Sequence, residues 1–308
     1  MGRQVLRIDF VDFWPGFDKH DNWFTSVLSR RFDIEVSPQP DIVLYSCFGF
    51  DHRRFNCTRV FLSWENRGWG FSECDWAFTS DLNSSTHHYR LPLWVAWLDQ
   101  PFEHPQVDPS AILREKDGFA SVVVSNPSGD TRNRIVQQLE RHRPIASGGR
   151  FRNNVGGPVV DKLSFIGRYK FNIAFENSSS PGYTTEKVLQ ALSADTVPIY
   201  WGDPFVGHDF NTRRIVSYHD FSSEDAFIQH ILHLDEDDDA YSSVLREPWF
   251  ATGRTPPPCA DIDAFLDRIE AIIEWKGRPI GQRCGPATWA ARVQDVWSIR
   301  RRDRSRRS

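Results

Sequence analysis

The chain has 308 residues, enough for two α/β domains of ordinary size with a sizeable core in each, and its 40% hydrophobic and 25% charged residues are the balance of a globular protein. The net charge is −4 even though Arg300, Arg301, Arg302, Arg304, Arg306 and Arg307 crowd the end, so the body is more acidic than the total and argues against general nucleic-acid binding. No run of 18 apolar residues is present, and Arg3, Arg7 and Asp9 interrupt the first ten positions, which excludes a spanning helix and a visible export signal.

In chain order, Val5 to Phe10 reads as a strand. Asp21 can cap a helix carrying Trp23, Phe24, Val27, Leu28 and Phe32 at helical spacing. Further strands are expected at Asp33 to Val36, Asp41 to Tyr45, Val60 to Trp64 and Asp75 to Thr79, which makes the first half α/β. Between the first strand and helix, Asp12 to Asp18 is a loop of aromatics and carboxylates that could lie at a cleft. Glu65 follows directly on an apolar strand, where a polar side chain can face a cleft; Asp12, Glu73 and Asp81 are the competing carboxylates.

Residues 99 to 118 form a proline-containing linker and the expected domain boundary. Ala120 to Ser125 is an apolar strand, Asn126 to Gly129 a turn, and Thr131 to Arg143 a helix. Arg132 stands close to that βα turn, where its planar fork suits a phosphate. The Gly-rich stretch from Ser147 to Gly157 lacks the Gly-Lys-Ser/Thr of a phosphate-binding P-loop. Asp161-Lys162 opens a helix before the next strand.

The stretch from Tyr169 to Gly202 reads as strand, loop, helix and strand. Phe171, Ile173 and Phe175 alternate up to Glu176, Ser178 to Gly182 breaks the strand, and Thr184 or Thr185 caps a helix with Val188, Leu189 and Leu192 on one face. Val197 to Trp201 is the second strand, so the unit is βαβ and the sheet parallel. Asn177, Tyr183, Glu186 and Lys187 then gather at the carboxyl end of the first strand, where open α/β sheets bind ligands. A helix N-terminus offers amide N–H groups and partial positive charge, and Lys187 adds a full charge, so the natural guest is a phosphate or diphosphate. Glu186 does not favour that anion and fits hydroxyls instead. A nucleotide-sugar satisfies both residues.

Beyond Gly202 come a strand from Arg214 to Tyr218 and a helix from Ser222 or Ser223. His230 and His233 on that helix lack a third metal ligand at a defined spacing and read as surface or satisfied histidines. Asp235 to Asp239 reads as a solvated acidic turn. Ile262, Phe265, Leu266, Ile269, Ile272 and Ile273 mark a strongly amphipathic helix, and Trp289, Val293, Val296 and Trp297 a last one. Five cysteines without a Cys-x-x-Cys spacing indicate neither a disulfide framework nor a zinc site, with a reducing cytoplasm the expected setting.

Phe-Glu-Asn-Ser at 175, Gly-Tyr-Thr-Thr-Glu-Lys at 182 and Val-Pro-Ile-Tyr-Trp-Gly at 197, in that order and spacing, resemble the signature of the α-1,3/4-fucosyltransferases of bacterial type. Glu65-Asn66, Asp75-Trp76-Ala77-Phe78, Arg90-Leu91-Pro92-Leu93 and Ser125-Asn126-Pro127 with Arg132-Asn133 also match that family's pattern. The resemblance implies a GT-B type α/β fold, two Rossmann-like domains with the active site in the cleft between them. The expected division is an acceptor-side domain at 1–117, a GDP-fucose-binding domain at 118–280, a helix at 281–299 packing back on the first domain, and an Arg-rich tail at 300–308.

It also implies inverting transfer of fucose from GDP-β-L-fucose to a GlcNAc hydroxyl of an N-acetyllactosamine-like glycan. Glu65 would be the catalytic base. Arg132 and Lys187 would neutralise the diphosphate, while Asn177, Tyr183 and Glu186 hold the nucleotide, the fucose and the developing positive charge; Asn154 and Glu176 are further candidate donor contacts. No obligatory metal is implied, although Mn²⁺ could stimulate through the diphosphate. Partners are the donor and a glycan acceptor, with the Arg-rich tail a candidate contact for anionic lipid. The alternatives are a transferase of the same fold with another donor, or an inactive sugar-nucleotide or glycan-binding module.

Overall fold

The computed structural model describes residues 2–83, 85–99 and 101–283. The described residues divide into two compact units, one made of residues up to 92 together with 258–283, the other of residues 93–257.

In the first unit, β1 (Gln4–Val11), β2 (Phe32–Val36), β3 (Ile42–Tyr45), β4 (Thr58–Ser63), β5 (Trp76–Thr79) and β6 (His88–Arg90) form one sheet in the order β2-β1-β3-β4-β5-β6. Every pairing is parallel, with Ile8 opposite Ile42, Ile42 opposite Thr58 and Val60 opposite Trp76 in register. All four residues of β3 and all four of β5 are buried, as continuous apolar strands covered on both faces must be. Helix α1 (Trp23–Leu28) is capped by Asn22, whose Oδ1 accepts from the Thr25 N–H at 3.0 Å, rather than by the expected Asp21. It ends before Phe32, because Phe32 opens β2 and pairs with Gln4.

A buried charge group ties the loop after β1 to the turn after β3. Asp12 adopts φ 60°, and its carboxylate accepts from the N–H groups of Asp51 and His52 at 2.8 and 3.0 Å and lies 2.6 Å from His52 Nδ1. The Tyr45 ring stacks on His52 at 3.9 Å, and His52 Nε2 is 3.4 Å from Glu73, which also pairs with Arg53 at 3.1 Å. Burial alone would raise both carboxyls. The hydrogen bonds from His52 and its neighbours outweigh it, lowering Asp12 and, with Arg53, bringing Glu73 down to about 2. For His52 burial works downward, and the two carboxylates win and raise it.

The two limbs of the resulting pH profile have opposite signs. The Glu73 contribution is complete above its ordinary 4.5 and is lost as pH falls toward 2, whereas that of His52 is complete below its ordinary 6.5 and is lost as pH rises through its raised value. Urea unfolding between pH 2 and 9 should therefore show greatest stability between these limbs. Glu73→Gln should flatten the acid limb by about 2–3 kcal/mol.

The second unit contains α2 (Pro109–Arg114), β7 (Gly118–Val122), α3 (Asp130–Glu140), β8 (Ile145–Ser147), α4 (Lys162–Gly167), β9 (Tyr169–Ile173), α5 (Glu186–Ser193), β10 (Val197–Tyr200), β11 (Val216–Ser217), α6 (Glu224–Glu236) and α7 (Asp238–Arg246). The strands pair in parallel in the order β11-β10-β9-β7-β8. Phe171, Ile173, Val197, Ile199, Phe227 and Ile231 lie in its core. The acidic run is solvated as expected at Glu236, Asp238 and Asp239, but it joins two helices: Asp237 caps α7 by accepting from the Asp239 and Ala240 N–H groups, and Asp235 pairs with Arg143 at 3.0 Å. His230 and His233 are exposed on α6.

The unit boundaries at 92/93 and 257/258 differ from the expected 117/118 and 280. Trp94 is fully buried in the second unit, its Nε1 donating to Asp209 Oδ2 at 3.0 Å, so the chain joins that unit well before the proline-containing linker. Helix α8 (Ile262–Glu274) belongs to the first unit. Phe265 meets Trp23, Phe78 and Tyr89 at 5.5 to 6.0 Å between ring centroids, and Arg31 pairs with Asp267. Asp75 then accepts from the Ile280 N–H at 2.7 Å. The helix expected at 281–299 and the Arg-rich tail lie outside the described residues, apart from a short 3-10 turn at Ile280–Gln282. Among the described residues no helix is long and apolar enough to cross a membrane.

Candidate active site

In the second unit β7 and β9 are neighbours while β8 pairs with the far side of β7. Connections therefore leave the two central strands in opposite directions and open a crevice at their carboxyl ends, the place where open α/β sheets take ligands. The loop after β7 leads into α3 and the loop after β9 into α5. These two loops carry the donor candidates.

After β9, Glu176 is fully buried. Its Oε1 accepts from the Thr185 N–H at 2.7 Å and the Thr185 hydroxyl at 2.9 Å, while Oε2 lies 2.8 Å from Lys187 Nζ. A carboxylate just past the preceding strand thus satisfies the start of α5, in place of a cap by the side chain of Thr184 or Thr185. Glu176 acts through Lys187 and Thr185 rather than facing a ligand. Lys187 keeps 19% of its side chain exposed, and its ammonium also lies 3.9 Å from Glu186 Oε1, so a fixed cation and a carboxylate share the first turn.

The rest of the loop is pinned from β10. Asp203 Oδ1 accepts from the N–H groups of Gly182 and Phe205 at 2.8 Å each, and Tyr200 lends its hydroxyl to the Asp203 N–H at 2.9 Å. Tyr183 is buried here, 4% exposed, whereas Asn177 is exposed at the mouth of the loop. Gly202 is required by close approach: a Cβ there would stand 2.5 Å from Glu176 Cγ and 2.7 Å from the Tyr200 hydroxyl. Gly202→Ala should therefore lower stability by about 1–3 kcal/mol, readable as a lowered thermal midpoint.

After β7, Arg132 is 1% exposed. Its Nη2 donates to the carbonyls of Asn126 and Ser128 at 2.8 and 2.6 Å, and Gly129, at φ 127°, makes room for the guanidinium, which a Cβ would approach to 3.0 Å. Nε and Nη1 are buried with no hydrogen-bond partner, and burial lowers the pKa of the group. Two desolvated guanidinium nitrogens without a partner suit an anion, although the small cavity they border is shared with Ser147, Phe151 and Arg152 after β8.

The structure does not bring Asn154 to this group. Its amide completes the edge of β8, Oδ1 accepting from the Ser147 N–H at 2.8 Å and Nδ2 donating to Ile145 O at 2.9 Å. It borders a depression of about 670 Å³ that also takes in Gly118, Ile145 and Tyr169, the residues at the amino ends of β7, β8 and β9. Asn153 likewise braces its own turn, binding Gly149 and Gly157. Sequence reasoning missed Lys162, whose ammonium lies on α4 and donates to Gln190 Oε1 at 2.5 Å, one turn beyond Glu186 on α5. Burial lowers its pKa, opposed by Glu186 and Glu176. Nothing local in the sequence marks it, because its place depends on α4 packing on α5. Asp203 could have been found as a carboxylate just past the second strand of the βαβ unit.

In the first unit, Glu65 is exposed beyond the carboxyl end of β4, with its N–H donating to the Ser63 hydroxyl at 3.1 Å and its carbonyl accepting from Arg67 at 2.7 Å. Of its rivals, Asp12 and Glu73 are committed to His52, and Asp81 accepts from Trp69 Nε1 at 2.8 Å. Among the described residues no three His, Cys, Asp or Glu side chains gather as they would around a metal ion.

Two parallel α/β sheets, each in its own unit, are the architecture of GT-B type glycosyltransferases. Residues 8–97 match the α-(1,3)-fucosyltransferase N-terminal domain, and residues 113–250 match the C-terminal domain of glycosyltransferase family 10. The chain belongs to that fucosyltransferase family. It is 32% identical over 286 residues to the α-(1,3)-fucosyltransferase of Helicobacter pylori, covering 79% of this chain and 60% of that protein. It is also 32% identical over 148 residues to human α-(1,3)-fucosyltransferase 4, covering 46% of this chain and 28% of that one. The crystal structure of an α1,3-fucosyltransferase with GDP-fucose superimposes with a TM-score of 0.76 at 27% identity, covering 90% of this chain and 93% of that chain. The same comparison for a structure with GDP gives 0.74, 27%, 90% and 92%.

Proposed function

We propose that the chain is an inverting fucosyltransferase that moves fucose from GDP-β-L-fucose to the 3- or 4-hydroxyl of GlcNAc in an N-acetyllactosamine-like glycan. The observation that carries this reading is the Lys187 ammonium, held at the start of α5 by a fully buried Glu176 beside a switch-point crevice. Family membership and the likeness to a GDP-fucose-bound structure support the choice of donor.

Glu65 takes the proton of the acceptor hydroxyl, whose oxygen attacks C1 of fucose as the C1–O bond to the β-phosphate breaks. The electron pair leaves with GDP. Lys187 and the unpartnered donors of Arg132 meet that growing negative charge, and Glu186 faces the positive charge spreading over the sugar ring. Asn177 and Tyr183 hold the nucleotide and the fucose. In this division of labour the protein's own cations neutralise the diphosphate, so no metal is obligatory, and Mn²⁺ stimulates at most through the phosphates. The reading includes a cytoplasmic setting and contact of the Arg-rich tail with anionic lipid.

The test is transfer from GDP-fucose to N-acetyllactosamine and lactose by purified protein, in EDTA and in Mn²⁺, following GDP release and glycan product together. Fucosylated product with an α linkage in EDTA is the expected result. GDP binding without release would move the chain to the class of binding modules, and release from a different GDP-sugar alone would change the donor.

A further inference from the structure

The first unit has a switch point of its own. β1 and β3 are neighbours while β2 pairs with the far side of β1, so the loops after β1 and β3 flank a second crevice at the carboxyl ends, with β4 and Glu65 one strand further along. The two flanking loops are locked together: the Phe48 N–H donates to Asp12 O at 3.0 Å, and the Asp51 N–H to the Asp12 carboxylate at 2.8 Å. Ser63, which holds the Glu65 backbone, lies 3.7 Å from Cys47.

On these loops three large aromatic side chains stand in solvent, Trp14 at 42%, Phe48 at 48% and Phe50 at 70% exposure. Single exposed aromatics are ordinary; here three stand on two loops that hydrogen bonds to Asp12 hold together at a switch point. Trp14 is fixed rather than loose, meeting Phe17 and Phe13 at 5.1 and 5.6 Å, nearly edge-on. Arg53 covers one face of Phe50 at 4.6 Å. On the loop after β3 Asp51, Arg53 and Arg54 are exposed, as is Glu65 beyond the end of β4. That mixture suits a pyranose, which has an apolar C–H face and a rim of hydroxyls, and it does not suit a lipid chain.

We propose that Trp14 and Phe48, with Phe50 at the margin, form an acceptor platform that stacks on the sugar ring next to the one carrying the attacking hydroxyl, for N-acetyllactosamine the galactose. The proposal rests on the transferase reading for its choice of ligand. Its occupant is a neutral β-galactoside, and Glu65 is the polar group of the same sheet edge that would meet the neighbouring GlcNAc.

The experiment uses the full chain with GDP present and N-acetyllactosamine as probe, in saturation-transfer difference NMR and in acceptor titrations. Saturation should concentrate on the galactose ring protons. Trp14→Ala and Phe48→Ala should each weaken acceptor binding five- to tenfold and raise the acceptor KM in parallel, with GDP affinity and KM for GDP-fucose unchanged; Trp14→Tyr should restore most of the loss. Unchanged acceptor affinity in both folded alanine variants, or no saturation of galactose by the wild type, would overturn the platform even if fucose transfer is robust. Binding with the expected dependence on both aromatics, but no fucose transfer, would support the platform and sink the transferase reading instead.

Discussion

Lys187→Met is expected to lose both stability and nucleotide affinity, and Glu176→Gln combined with it to recover only the stability. Glu176 is fully buried and accepts from Lys187 at 2.8 Å, so removing the ammonium strands a buried carboxylate. Breaking one side of such a pair costs about 3–5 kcal/mol, while neutralising both sides is often nearly neutral. The glutamine amide can still receive the Thr185 N–H through its oxygen, keeping the start of α5 satisfied. GDP affinity should fall about ten- to a hundredfold in the single and the double variant alike, since a charge-assisted hydrogen bond to phosphate contributes about 1.5–3 kcal/mol. Urea unfolding and GDP titration of the three proteins separate the two effects. Recovery of GDP affinity in the double variant would show that Lys187 serves the loop and not the diphosphate.

Glu65→Gln should behave in the opposite way. The side chain is exposed at a strand end, so substitution should shift stability by no more than about 0.5 kcal/mol. A general base contributes on the order of a hundred- to ten-thousandfold to the rate, and the amide has no basic lone pair to replace it. The expected result is a kcat lowered by that order with unchanged GDP affinity. If Glu65→Gln transfers fucose at the wild-type rate, the base lies elsewhere. Asp12 and Glu73 would be poor substitutes, because both carboxylates are held down by His52 and share its charge.

Much of this was legible in local pattern, and the exceptions are instructive. The apolar strands and the βαβ unit around residues 169–202 lie close to where periodicity places them, because a buried parallel strand must be apolar along its whole length. β8 went unread: three residues after Pro144, one of them alanine, carry no strand pattern, and pairing with β7 alone defines them. The acidic run is solvated as read, but it is a junction of two helices, and Asp235 and Asp238 pair with Arg143 and Lys170, neighbours that the linear chain does not reveal.

The domain boundary shows the same division. Prolines between 101 and 109 mark a linker in the sequence, but burial of Trp94 against Asp209 puts the junction earlier. Helix α8 is amphipathic in the sequence, and that pattern says only that it must cover an apolar surface. Phe78, Tyr89 and Trp23 decide which one.

By itself the sequence determined the chemistry available: a carboxylate after one apolar strand, a cation in the first turn of a helix after another, and a motif set that names the family. Those features are local, set by residue type and by spacing along a strand or a helical turn. Only the tertiary structure decided how each group is used. Glu176 becomes the anchor of Lys187 because it is buried where water cannot compete. Arg132 has two donors left over because its turn closes around the third. Asn154 is drawn off to a sheet edge because unpaired strand backbone takes the nearest amide. Burial and partner choice depend on what folds over each side chain, and no spacing along the chain encodes that.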